Sequence, residues 1–240
     1  MYEGSATSIK IPEKIKGVVV REIGKYAFYN CKGLTIITIP NSVSKIGFES
    51  FGFCSNLTSI TIPDSVTSIG NGAFRSCARL KSIIIPNSIT EIGKETFAWC
   101  SGLTSITIPD SVKKIGTGAF INCSGLTSIT IPNSVTEIGE EAFCQCDGLT
   151  SITIPDSVTE IEKCAFRSCY GLTSITIPDS VTEIGEEAFY FCEKLKSITI
   201  PDSVTYIGEQ AFYGCIAEIT FKGKTYSPEN YDELYKAING

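Results

Sequence analysis

Leucine recurs at Leu34, Leu57, Leu80, Leu103, Leu126, Leu149, Leu172 and Leu195, a step of 23 residues that never slips. A chain with a fixed period of this length has few options, because one unit cannot bury its own apolar face and must stack on its neighbours. Proline keeps the step from Pro40 to Pro201, and nine phenylalanines, Phe28 to Phe212, each stand three residues ahead of a cysteine. Those cysteines, Cys31, Cys54, Cys77, Cys100, Cys123, Cys146, Cys169, Cys192 and Cys215, form a ladder of their own. The expected architecture is one elongated repeat solenoid: an N-terminal capping repeat over 1–33, eight 23-residue repeats over 34–217, and a C-terminal strand and capping helix over 218–240.

Within the unit Leu172 to Lys194, LTSITIPDSVTEIGEEAFYFCEK, positions counted from the leucine are apolar at 1, 4, 6, 10, 13, 17, 18 and 21 and are read as inward. Positions 3 to 6 alternate Ser-Ile-Thr-Ile, the period-two pattern of a strand with one buried face. Proline ends the strand, since it cannot donate to a ladder, and Asp-Ser or Asn-Ser after it makes a turn. A second extended piece, Val-Thr-Glu-Ile, closes at glycine, and Glu-Glu-Ala-Phe predicts one short helical turn with acids at its N-terminal end. Stacking at about 4.8 Å gives one parallel β-sheet of short strands on the concave face, with extended segments and short helical turns on the other side.

The order leucine, two residues, Ile-x-Ile-Pro, two residues, Val-x-x-Ile-Gly, then Ala-Phe-x-x-Cys resembles the BspA-like, or Treponema-type, leucine-rich repeat, and the likeness covers about nine tenths of the chain. The resemblance implies a cell-surface or secreted microbial protein that adheres to host proteins, other cells or matrix. Glu162 departs from the pattern where Gly139 and Gly185 stand in other units, so that position is expected not to need a positive φ. About five extra residues lie between Pro12 and Ile23, as suits an atypical capping repeat. Two residues are missing between Cys215 and the next strand. Ser227 as N-cap, Pro228 at the first helical position, Glu229 and Asp232 in the first turn and Gly240 at the end predict a helix lidding the last coil, against the alternative of a frayed tail.

Composition sets aside several functions. A net charge of −6 and a pI near 4.9 argue against nucleic acid and anionic membranes, which need a basic stripe. No apolar run approaches the roughly 18 residues of a membrane span, and MYEGSATSIK lacks the pattern of a signal peptide. The chain has no histidine, which removes the commonest general base and every His-dependent nucleophile or metal set. Neither a catalytic residue nor a cofactor is expected. The carboxylates Glu137, Glu140, Glu141, Glu183, Glu186 and Glu187 read as a solvated edge. Asp64, Asp110, Asp156, Asp179 and Asp202 read as turn residues, because Asn41, Asn87 and Asn133 fill the same slot without charge. Stacked thiols have parallel Cβ vectors that disfavour disulfides, and a line of them cannot surround a zinc ion, so the cysteine ladder is read as buried and structural. Cys144 and Cys164 lie off the ladder and are expected to be more exposed and, if any thiol reacts, the reactive ones.

Two faces are candidates for binding. Outward strand positions carry Ser59, Thr61, Ser105, Thr107, Ser128, Thr130, Ser151, Thr153, Ser174 and Thr176, an array suited to a periodic ligand such as a polysaccharide or an ice surface. The same residues are also simply good exposed strand formers. Variety lies instead beside the cysteines, where Tyr29, Phe53, Trp99, Tyr170, Tyr190, Phe191 and Tyr213 form a candidate edge for a protein partner. Adhesion to protein, binding of a glycan or ice, and a spacer role all remain open at this point.

Overall fold

The computed structural model describes every residue except Met1, Glu3 and Ser5. It is a parallel-strand solenoid of about nine coils closed by a single helix, Tyr231–Asn239. The first wall is made of three-residue strands such as Ile36–Thr38 and Ser59–Thr61, paired in parallel with Ile37 opposite Ile60. Each buries its central isoleucine and exposes the flanking residues, as the alternation requires. A second parallel ladder uses the dipeptides that follow the proline turn, from Glu22–Ile23 to Tyr206–Ile207.

The third wall differs from the expected helical turn. Glu-Glu-Ala-Phe bends but does not wind into a helix, because the residue at position 16 is left-handed in every coil, as at Glu49, Glu95, Glu141, Cys164 and Glu187, and so is the residue at position 20. Alternate amides therefore point in two directions. Ala188 and Tyr190 donate to carbonyls three residues back, whereas Glu187, Phe189 and Phe191 donate to Glu209, Ala211 and Tyr213 of the next coil. The backbone of this wall is thus satisfied between coils.

Side chains fill the interior in columns. The phenylalanine rings stack face to face from Phe28 to Phe212, with neighbouring centroids such as Phe120 and Phe143 5.4 Å apart. Each ladder thiol beyond Cys31 donates to the phenylalanine carbonyl of the preceding coil, Cys192 Sγ to Phe166 O at 3.2 Å for example. That carbonyl already accepts from the amide of its own coil's cysteine, so the thiol uses the second lone pair. Hydroxyls at positions 2, 9 and 11 do similar work: Thr173, Ser180 and Thr182 donate to Thr150, Val158 and Thr159 of the coil before, at 3.0, 2.6 and 3.3 Å.

Gly139 and Gly185 have ordinary φ, as Glu162 led us to expect. What these positions need is room: a Cβ on Gly185 would lie 2.6 Å from the amide nitrogen of Lys163. The second ladder breaks into three blocks of three strands. One break falls before Glu160–Ile161, the coil in which Glu162 inserts a side chain at this crowded position. The other falls between Ser68–Ile69 and Glu91–Ile92, where the Asn71 side-chain oxygen lies against Gly93.

Both ends carry hairpins that period counting did not foresee. The five extra residues near the N-terminus form the antiparallel pair Lys14–Ile15 and Val18–Val19 around left-handed Lys16 and Gly17, the geometry of a type I′ turn. Lys222 and Gly223 repeat it between Glu218–Phe221 and Lys224–Tyr226. The last coil is then capped by the helix, with Leu234 wholly buried. Asn239 accepts from the amide of Ile207 and donates to its carbonyl, both at 2.9 Å, and the Tyr235 hydroxyl accepts from the amide of Phe212 at 3.1 Å. These are the groups that another coil would have satisfied. At the helix start Pro228–Asn230 is a 3-10 turn, and the Ser227 amide donates to Asn230 Oδ1 at 2.8 Å.

Candidate binding surfaces

The sheet face presents the expected hydroxyls. Ser59, Thr61, Ser105, Thr107, Ser128, Thr130, Ser151, Thr153, Ser174 and Thr176 are all exposed. Among the described residues none of them spends its hydroxyl on a protein partner, in contrast to the structural threonines and serines at positions 2, 9 and 11. The array is interrupted, however. Ile36 and Ile84 occupy outward positions, and Ile84 is 77% exposed between Thr61 and Thr107.

The variable edge resolves into two aromatic clusters. At the N-terminal end Tyr26 meets Phe48 and Tyr29 edge-on, Tyr29 meets Phe53, and the Arg75 guanidinium lies between Phe53 and Trp99, 6.0 and 4.6 Å from their ring centres. Glu95 pairs with Arg75. At the C-terminal end Arg167 sits 4.8 Å over Tyr190, which stacks on Tyr213 at 5.2 Å and meets Phe191 edge-on, and Glu187 pairs with Arg167. Between the clusters the same positions carry Asn122, hydrogen-bonded to Gln145. Tyr170 lies at position 22, exposed and outside both clusters. Of these residues the sequence pointed to Tyr29, Phe53, Trp99, Tyr190, Phe191 and Tyr213, but not to Tyr26, Phe48 or the two arginines beside the rings. The signal was present: Arg75 and Arg167 occupy the column that elsewhere holds Tyr29, Tyr190 and Tyr213.

The off-ladder thiols are not where they were expected. Cys144 and Cys164 are buried, 6% and 4% exposed. Their side chains are short, and in the case of Cys164 the paired Arg167 and Glu187 lie over the thiol, with Sγ 3.6 Å from Glu187 Oε2. Burial pushes the Cys144 thiol up to about 12 and raises that of Cys164, so both stay protonated and unreactive at neutral pH. The ladder thiols from Cys31 to Cys192 are raised too, Cys100 to about 12 by burial. All eleven cysteines are free.

Acidic side chains sit outward, several in ion pairs with the neighbouring coil: Glu137 with Lys114 at 2.6 Å and Glu186 with Lys163 at 2.7 Å. Asp64, Asp110, Asp156, Asp179 and Asp202 are exposed on the turns after proline. Among the described residues no three of the Cys, Asp or Glu side chains gather as a metal set, and no helix is long and apolar enough to cross a membrane. One recess that the sequence did not point to is a groove of about 780 Å³ between the last coil and the C-terminal helix, lined by Tyr213, Phe212, Tyr231, Tyr235, Glu209 and Asp232 among others.

Comparison with known proteins agrees with this geometry. The family model described as "BspA type Leucine rich repeat region (6 copies)" matches residues 1–127 and 113–231. The leucine-rich repeat protein of T. pallidum is 24% identical, with 100% of this chain and 86% of that one covered and a TM-score of 0.52. The pneumococcal vaccine antigen PcpA is 22% identical, with 91% and 73% covered and a TM-score of 0.57. These two likenesses are of fold. A leucine-rich repeat protein of Bacteroides ovatus is 28% identical over 88% of this chain and 76% of its own, at a TM-score of 0.49. No curated protein matches the chain.

Proposed function

The chain belongs to the BspA-type leucine-rich repeat family, and from that premise we propose that it is a non-enzymatic interaction module that binds a protein partner through its aromatic edge. One observation carries the reading. In a molecule that otherwise repeats itself, half-exposed and exposed rings gather with an arginine in two clusters along one edge, and large rings with arginine are what dominate the energetics of protein interfaces. The chain lacks histidine, the commonest general base, which supports the non-enzymatic reading. Adhesion at a cell surface or after secretion is the role the family likeness suggests. The burial of ten of the eleven thiols, all but Cys31, supports it, since shielded cysteines tolerate an oxidising exterior.

The test is binding of the purified chain to a panel of immobilised matrix and host-surface proteins, repeated with Phe53→Ala/Trp99→Ala and with Tyr190→Ala/Phe191→Ala. Loss of at least tenfold in affinity for a bound partner, with an unchanged circular dichroism spectrum, is the expected outcome for one of the two pairs. Equal affinity for both variants and the parent sinks the reading.

A second reading is favoured by one specific observation: the ten unpartnered, exposed hydroxyls of the sheet face. A polysaccharide or ice lattice would meet rows about 4.8 Å apart. A glycan array and an ice-recrystallisation assay distinguish it, with Thr107→Ala/Thr130→Ala/Thr153→Ala abolishing the signal and the edge variants leaving it intact.

A further inference from the structure

We propose that the groove between the last coil and the C-terminal helix is a receptor for the guanidinium group of an arginine in a partner peptide. The inference rests on the reading of this chain as an interaction module and names one of its sites. It follows from an arrangement the molecule builds twice with its own residues. Arg75 lies between the rings of Phe53 and Trp99 and pairs with Glu95 on the next coil. Arg167 lies over Tyr190 and pairs with Glu187 on the next coil. Each unit needs a ring, a cation and a carboxylate donated by the following turn of the solenoid.

At the end of the edge a third instance has the ring but no cation, and the C-terminal helix brings a carboxylate, Asp232, where the next coil would have supplied one. Tyr213 occupies the same column as Arg167 and Tyr190, stacks one face on Tyr190, and is 56% exposed where it lines the groove. Beyond it there is no further coil, and the helix supplies the opposite wall with Tyr231, Tyr235 and Asp232. Those two rings are anchored, the Tyr231 hydroxyl donating to the Ala217 carbonyl at 2.5 Å and that of Tyr235 accepting from the Phe212 amide at 3.1 Å. The walls are therefore held in place before any ligand arrives, which lowers the ordering cost of binding. Glu209 and Asp232 set a negative rim. The whole half from 121 to 240 carries 18 acidic against 7 basic residues, while the first half carries 8 against 13, so cations are drawn to this end. A planar guanidinium stacks on tyrosine and pairs with a carboxylate at once, which an ammonium cannot do as well.

The experiment is titration of the isotope-labelled full chain with blocked Gly-Arg-Gly tripeptide, followed by amide NMR shifts. Saturable shifts centred on Tyr213, Gly214 and Tyr235 are expected, with affinity reduced about tenfold for the Gly-citrulline-Gly peptide and for Tyr213→Leu and Asp232→Asn. Equal binding of the citrulline peptide, shifts centred elsewhere, or no saturable shift overturns the proposal. Because the readout is a small probe at the helix end, its failure leaves the Phe53 and Trp99 cluster untouched, and the loss of that cluster's role leaves this result standing.

Discussion

Ser50 stands at a position where Ala73, Ala119, Ala142, Ala165, Ala188 and Ala211 stand in other coils, and its buried hydroxyl has no partner. A buried group left unpaired costs free energy that an apolar replacement of similar size recovers. Ser50→Ala is therefore expected to stabilise the chain by about 1 kcal/mol in urea unfolding; a destabilised variant would show that the hydroxyl is satisfied in solution. Glu162 is the other local fault. Its carboxyl is raised above the ordinary range by desolvation, and then by Glu160, Glu140, Glu137 and Glu183. The folded state thus holds this proton more tightly than the unfolded chain, and the ionised form is the unfavourable one. Glu162→Gln should melt higher than the parent at pH 7, and the gap should close as pH falls through the raised value toward the ordinary carboxylate value near 4.5. A gap that widens on acidification contradicts this account. Sequence alone marked Glu162 as an exception to a glycine column. It did not show why glycine is there, because the crowding comes from the backbone of the preceding coil and not from φ. Cys164 was misjudged for a like reason: what covers its thiol is the ion pair between Arg167 of its own coil and Glu187 of the next.

The strands, the proline turns and the cysteine and phenylalanine columns were legible because each repeats with a strict step and obeys a local rule, alternation or turn chemistry. The third wall was not. Glu-Glu-Ala-Phe has helical composition, yet position 16 is left-handed because the amides it releases bond the adjacent coil. That is a tertiary gain overriding a local preference. The two terminal hairpins escaped since they lie outside the period, although Lys16-Gly17 and Lys222-Gly223 are compatible with the turns they form. The C-terminal helix and its task as a lid over the last coil were foreseen from its cap residues, but the hydrogen bonds by which Asn239 and Tyr235 complete that coil were not. Asn239→Ala leaves both backbone groups of Ile207 without the partners they have now, and should cost about 1–3 kcal/mol. Hydrogen exchange is the measurement: faster exchange at Ile207 and through the last coil, with the first coils unchanged, is expected, and uniform acceleration along the chain would argue against a local cap.

Across the whole molecule, each coil touches only its neighbours, so stability is a sum of like terms and the number of coils is adjustable. Removal of residues 103–125, joining Gly102 to Leu126, keeps every column in register. The shortened chain is expected to fold, with its urea m-value lower by roughly one part in nine because m follows the surface exposed on unfolding. A chain that fails to fold would mean that the middle coils are not equivalent. The inter-coil hydrogen bonds of all three walls, including the thiol bonds from Cys54 to Cys215, run along the solenoid axis and tie one coil to the next. Under a mechanical load applied through its two ends, such a body is pulled in the direction in which those bonds peel. One coil detaches at a time, and each releases 23 residues of chain, about 75 Å of extended length in exchange for about 4.8 Å of stack. Anchored between two surfaces in flow, the protein would yield in steps and absorb work as it lengthens.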